Sequence, residues 1–323
     1  MRPNPVKTQL AQGGRVFGTM VFEFATPGLP SVLAQGGADY ALYCMEHTGF
    51  TVADMKRQFQ YCRAAGIMPI VRPPDKSYAT TALLLDIGAM GFMFQMVGSA
   101  REAREIVTWT KYPPQGRRGA MFGGAHDDYA GGDLAQKMRA ANDRTLVMMM
   151  IETREGLDNM EEIIATPGVD GVHLGQFDLS LSLGIPGQFD QPVIQNGIDR
   201  MLKACRKHGK FAACMAPTLD IAREWMGRGF RMVSYSYDIG LMADRLREGL
   251  SALRAQEASS ASAPKPAEAS QLRGAAKAVK AAKGVKADRS DKSSKVAKVD
   301  KAGKSVRSAK TVKAAQSGKR SRS

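Results

Sequence analysis

Cysteine is scarce in this chain: four residues in 323, Cys44, Cys62, Cys205 and Cys214, with no CxxC pair among them. A disulfide-stapled scaffold is thereby excluded, and the expected setting is reduced and cytoplasmic. An apolar leader is also missing, because MRPNPVKTQL carries none of the hydrophobic core of a secretory signal. No apolar run approaches the roughly 20 residues that cross a bilayer, and the longest beside a strand pattern is Leu146 to Ile151. A membrane role is not expected.

Charge looks abundant and one-sided, at a formal +15, until the chain is divided at residue 254. Residues 255–323 hold 18 Lys and Arg against 5 Asp and Glu, which leaves 28 against 26 for residues 1–254. The expected organisation is therefore a near-neutral globular domain over 1–254 and a Lys/Ala/Ser-rich basic tail over 255–323. From Lys277 through Lys313 a Lys or Arg occupies every third position, 13 in succession. A period of three walks around a helix and gathers no apolar face, so the tail is expected to be disordered. Such a polycation attracts DNA, RNA or polyphosphate by counterion release, and without aromatics it has nothing to stack on bases. The bland alternative is a solubilising extension without a partner.

In the body, apolar runs rich in β-branched residues alternate with amphipathic stretches. Strands are predicted at Arg15–Phe22, Ala38–Cys44, Ile67–Arg72, Gly91–Met96, Thr145–Ile151, Gly168–Leu174, Lys210–Met215 and Arg231–Ser236. Helical periodicity falls between them at Phe50–Ala65, Tyr78–Ile87, Ser99–Thr110, Asp133–Ala141, Arg154–Ala165, Val193–His208 and Thr218–Gly227. Eight such units in about 250 residues match the count and length of a (β/α)8 TIM barrel, with a doubly wound open sheet as the competitor. The longest spacer contains the loop YPPQGRRGAMFGGAHDDY, expected on the active-site face.

In a barrel, catalytic side chains gather where strands end. Glu46 and His47 follow the second strand, Arg72 ends the third, Glu152 follows the fifth, and Asp178 follows the sixth after a Gly175-Gln176-Phe177 turn. Glu152 and Asp178, about one βα unit apart, would project into one mouth, where two hard carboxylates suit Mg²⁺ or Mn²⁺. The alternative is that Glu152 caps the helix near Arg154 and Asp178 caps the turn before Leu179. His47 is a candidate general base, imidazole being the side chain that titrates near neutrality, or else a satisfied loop histidine. Arg72, stiffened by Pro73, either offers a fork to a carboxylate ligand or pairs structurally with Glu46. Asp86 lies just before the fourth strand, at its wrong end. The methionines read as core filler, and His126, His173 and His208 carry no pattern above background.

The order and spacing of MEHTGF, VRPP, LLLDIGAMGFMFQMV, KYPPQGRRGA, MIETREGLDN and GVDGVHLGQFDLSLSLG, across Gly18 to Gly240, resemble the metal-dependent class II pyruvate aldolases. This is the 4-hydroxy-2-oxoheptanedioate and 2-dehydro-3-deoxyglucarate aldolase family, related to the citrate lyase β-subunit. The resemblance implies a (β/α)8 barrel of the phosphoenolpyruvate/pyruvate-binding type, hexameric, with helices exchanged between subunits. It implies that Glu152 and Asp178 bind a divalent metal (Mg²⁺, Mn²⁺ or Co²⁺) and that Arg72 meets the pyruvate carboxylate. It further makes His47 the base near the substrate hydroxyl, Asp86 a catalytic residue at a subunit boundary, and the amides of Gly175, Gln176 and Phe177 the lining of the keto-acid site.

The implied reaction is retro-aldol cleavage of a 4-hydroxy-2-keto acid to pyruvate and an aldehyde, with no lysine Schiff base. Three positions depart from the family pattern. Cys44 stands where an acid commonly precedes the Glu-His pair, Met150 where a polar residue, often Gln, precedes the metal Glu, and Gln176 where Pro or His is common. Two other functions therefore stay open: a catalytically weakened barrel serving as an oligomeric scaffold for polyanion-binding tails, and a CoA-thioester lyase of the citrate lyase branch.

Overall fold

In the computed structural model, which describes residues 1–262, eight parallel strands close on themselves in sequence order. They are β1 (Val16–Val21), β2 (Tyr40–Cys44), β3 (Met68–Arg72), β4 (Gly91–Phe94), β5 (Leu146–Ile151), β6 (Gly171–Leu174), β7 (Phe211–Ala216) and β8 (Met232–Tyr237). Closure runs through β1 against β8, with Val16 opposite Met232 and Gly18 opposite Ser234. This is the arrangement of a (β/α)8 barrel, and it removes the open sheet from consideration. No helix among the described residues is long and apolar enough to cross a membrane.

The helices are α1 (Pro5–Ala11), α2 (Leu29–Gln35), α3 (Val52–Ala65), α4 (Tyr78–Asp86), α5 (Ala100–Thr110), α6 (Leu134–Arg144), α7 (Arg154–Asp158), α8 (Met160–Ala165), α9 (Gln176–Ser182), α10 (Pro192–Lys207), α11 (Leu219–Arg228) and α12 (Asp238–Ser262). Local chemistry sets several starts. Thr51 and Asp54 form a reciprocal capping box on α3, and Ser77, Ser99 and Thr218 cap α4, α5 and α11.

Strand alternation divides the core in two. Along β5, Leu146, Met148 and Met150 fill the barrel interior, while Val147, Met149 and Ile151 pack outward among the helices. The interior is filled largely by methionine, including Met20, Met68, Met90, Met93 and Met232, whose unbranched chains fit the taper. Gly171 is required there, since a Cβ would stand 2.6 Å from the Phe211 ring.

Two expectations change. The loop between α5 and α6 follows a helix rather than a strand, so it packs along the outside of the barrel. Arg117 N–H donates to the Thr108 carbonyl, Gly119 N–H to the Tyr78 hydroxyl, and Arg118 pairs with Asp86. It does not reach the mouth cavity. The Gly175-Gln176-Phe177 turn is instead the start of α9, with Gly175 as its N-cap and Asp178 in its first turn.

Residues Met1–Ala258 form one compact unit. Residues 255–262, expected in the disordered tail, instead continue α12; from residue 263 on, the expected disorder and polyanion partner of the tail fall outside the described residues.

Candidate active site at the carboxyl ends of the strands

Strand register brings Cys44 and Arg72 opposite each other at the ends of β2 and β3. Arg72 is 4% exposed, and its Nε lies 3.1 Å from Glu46 Oε2. The same guanidinium donates to Cys44 Sγ from Nη2 at 2.9 Å and reaches Met150 Sδ from Nη1 at 4.0 Å. The Glu46 pair expected as the structural alternative therefore exists. It takes one edge of the fork, and the rest meets sulfur, a weak acceptor that leaves hydrogen-bonding capacity for an anion.

Glu152 continues β5 into the mouth and is 2% exposed. Its Oε1 accepts the Met96 N–H at 2.6 Å, and Met96 holds φ +50, a left-handed turn rarely adopted by a side chain of this size. Burial pushes the Glu152 carboxyl up to about 7; the Met96 amide pulls it down, Asp178 and Glu46 add to the rise, and Arg72 opposes it. On the other side stands Gly175, where a Cβ would lie 2.5 Å from Glu152 Oε2. Glycine thus lets the start of α9, which carries Asp178, close down on the carboxylate. The helix-capping alternative for Glu152 fails, because Thr153 caps α7 by accepting the Gly156 N–H.

A cavity of about 220 Å³ opens here, lined by His47, Arg72, His173, Gln176, Phe177 and Asp178 among its polar and aromatic walls. Gly175 also lines it, but its amide is bonded to the Ile151 carbonyl at 3.1 Å. The first-turn amides of Gln176 and Phe177 have no acceptor within their own helix. His47 sits at the rim, its side chain 53% exposed, with Nε2 3.5 Å from Glu46 Oε2. Asp86 does not join this group. It ends α4, where Arg118 holds its Oδ1 at 2.7 Å.

Among the described residues no group of three or more His, Cys, Asp or Glu is arranged to hold a metal ion. What the mouth does hold is an excess of negative charge. Glu46, Glu152 and Asp178 stand near one buried cation, Arg72. Two adjacent carboxylates, one of them desolvated, fit a hard divalent cation that takes its remaining ligands from water and substrate.

Sequence reading missed Phe22 and His173, and gave Glu46 only as a partner of Arg72. Glu46 bridges His47 and Arg72, a role visible in sequence only as adjacency. Phe22 packs its ring 5.9 Å from the Arg72 guanidinium. His173, set aside as background, points from β6 into the cavity. It is 2% exposed, and neither ring nitrogen has a hydrogen-bond partner in the protein.

Comparison with known proteins agrees with the fold. A family model described as HpcH/HpaI aldolase/citrate lyase matches residues 20–244. A 2-keto-3-deoxy-L-rhamnonate aldolase of Escherichia coli (strain K12) is 32% identical over 254 residues, which cover 78% of this chain and 94% of that protein. The crystal structure of an HpcH/HpaI aldolase from Desulfitobacterium hafniense DCB-2 superposes with a TM-score of 0.74 at 30% identity, covering 77% of this chain and 96% of that one. A family protein from Burkholderia cenocepacia J2315 gives 0.73 at 27% identity, covering 78% and 99%. With a closed parallel barrel, an acid-rich mouth and a family match over most of the folded body, the chain belongs to the HpcH/HpaI aldolase/citrate lyase family.

Proposed function

We propose that this protein is a divalent-metal-dependent aldolase, a (β/α)8 barrel of the phosphoenolpyruvate/pyruvate-binding type, that cleaves a 4-hydroxy-2-keto acid to pyruvate and an aldehyde. The observation that carries the reading is the charge imbalance of the mouth, three carboxylates near one buried guanidinium, in a chain whose curated relatives are aldolases. The E. coli relative is named for 2-keto-3-deoxy-L-rhamnonate, itself a 4-hydroxy-2-keto acid.

In this reading Glu152 and Asp178 hold the metal. When bound, Mg²⁺, Mn²⁺ or Co²⁺ offsets the negative charge that develops as the bond between C3 and C4 breaks. Arg72 takes the substrate carboxylate through the fork edge not engaged by Glu46, and the amides of Gln176 and Phe177 flank the keto acid beside Gly175. His47 removes the proton of the C4 hydroxyl, with Glu46 fixing its ring. Phe22 and Phe177 wall the cavity and exclude water.

Asp86 enters this scheme only from a neighbouring subunit, as part of a hexamer. Support for exchange comes from α12, where Ile239, Met242, Leu246, Leu250 and Leu253 are exposed at intervals of three and four. Such a row requires a partner to leave water. The basic tail, in the same reading, adds weakly specified attachment to DNA, RNA or polyphosphate.

A coupled assay for pyruvate release from a panel of 4-hydroxy-2-keto acids tests the reading. Turnover is expected with Mg²⁺, Mn²⁺ or Co²⁺, to vanish with EDTA, and to drop in His47→Ala and Arg72→Ala. Metal-independent turnover, or full activity in Glu152→Ala, contradicts it. The scaffold reading draws on the sulfur atoms of Cys44 and Met150 against Arg72; no release with any metal favours it. Removal of residues 263–323 should leave turnover intact and abolish retention on DNA at low salt.

A further inference from the structure

His173 is a buried cavity group whose chemistry the mechanism above does not use. It projects inward from β6, opposite Met150 of β5 and Ala213 of β7 in the register. Its place is two residues before Gly175 on the strand, so its ring forms part of the floor of the cavity that Arg72 and Asp178 also line. Burying a polar ring without a partner is costly, and both His173 nitrogens are in that condition. Burial, followed by the charge on Arg72, lowers its pKa to about 3; the Leu174 main chain, near the ring but outside hydrogen-bonding geometry, pulls the other way. The imidazole is therefore neutral, with one N–H donor and one bare nitrogen acceptor. The other floor groups, Met20, Met150 and Met215, offer no comparable polarity.

A neutral donor and acceptor pair is matched by a hydroxyl, which can give and take one hydrogen bond. A second carboxylate is a poorer match, because the only buried cation in the cavity, Arg72, is already assigned to the first. The fragment that reaches the floor is the keto acid. Its carboxylate lies with Arg72 and its keto oxygen with Glu152 and Asp178, so the atom left to face His173 is C3. We propose that His173 is a specificity-determining residue that receives a hydroxyl on C3 of the keto-acid fragment, so that among 4-hydroxy-2-keto acids the pocket favours those with a further hydroxyl on C3, whose cleavage releases 3-hydroxypyruvate in place of pyruvate. This rests on the aldolase reading and extends it to the substrate class.

The test is calorimetric titration of the Mg²⁺-loaded full chain with pyruvate and with 3-hydroxypyruvate. The wild type is expected to bind 3-hydroxypyruvate roughly threefold to tenfold more tightly, the worth of one neutral hydrogen bond. His173→Phe should erase that difference while keeping pyruvate affinity, and His173→Asn, which retains a donor and an acceptor, should restore part of it and stands in should the Phe variant fail to fold. Pyruvate binding with no preference in the wild type, or a preference that survives in both variants, overturns the assignment of His173 and leaves the aldolase reading standing. Failure of both ligands to bind overturns both.

Discussion

At the amino-terminal end of the barrel strands, Lys210 Nζ donates to the Val169 carbonyl at 2.6 Å, Arg231 to those of Leu10 and Lys210 at 2.7 and 3.1 Å, and Arg15 to that of Met226 at 3.3 Å. At the carboxyl end, Glu152 and Asp178 form no ion pair among the described residues, and Arg72 is shared among an acid and two sulfurs. The larger hollow is at the first end, about 910 Å³ and lined by Arg15, Arg206, Lys210 and Arg231, against about 220 Å³ at the mouth. Size does not identify the site. Three of the four basic groups in the larger hollow stitch main-chain carbonyls together, which is the work of stability, while the mouth leaves charges poised for a ligand.

Lys111 makes the same point about titration. Burial, with Lys7 adding to the effect, lowers its pKa to about 7, yet its Nζ donates to the carbonyls of Asn142 and Thr145 at 2.5 and 3.1 Å. A perturbed group marks a site only where the surrounding geometry leaves it something to do.

Substitutions should separate the two ends, most sharply at the carboxylates. Glu152→Gln or Asp178→Asn should lower pyruvate release by roughly 10²–10³-fold, the scale of losing one charge-stabilising group, measured as turnover at the Mn²⁺ concentration that saturates the wild type. Arg72→Lys should reduce kcat/KM by about tenfold or more, because a point charge does not replace a fork; an unchanged value would show that the fork is structural. At the opposite end, Arg231→Met should remove about 1–3 kcal/mol of stability in urea unfolding and leave kcat/KM alone. Loss of turnover without loss of stability there would break the contrast.

The remaining effect concerns pH. The pKa of His173 in the folded protein, about 3, lies below its ordinary value of 6.5. The unfolded chain therefore takes up that proton first as pH falls. The stability this residue contributes is complete above pH 6.5 and declines below it, by about 1.4 kcal/mol per pH unit. His173→Phe should flatten the fall in unfolding free energy between pH 6.5 and pH 5, and an unaltered slope would show that the ring takes up its proton as readily in the folded chain.

Much of this fold was legible because every strand of a barrel is buried on both faces, giving continuous runs such as LVMMMI for β5 that stand out from the amphipathic helices. The same burial hid His173, since a four-residue strand read as GVHL has no alternation to show that its third residue faces the cavity. Helix α9 was read as a turn because Gly175 suggested a bend, whereas its small size serves the approach of Glu152. The positions of Arg72 at the end of β3 and of Glu152 just after β5 were legible because strand ends are predictable from sequence. The Met96 amide was not, being 56 residues from the carboxylate it holds and set by a left-handed turn.

The most direct test of the central claim is a Mn²⁺ titration of the full chain followed by electron paramagnetic resonance. About one ion per chain is expected, as one pair of adjacent carboxylates provides, with binding lost in both Glu152→Gln and Asp178→Asn and retained in Arg231→Met. Undiminished Mn²⁺ binding in either carboxylate variant would contradict the account.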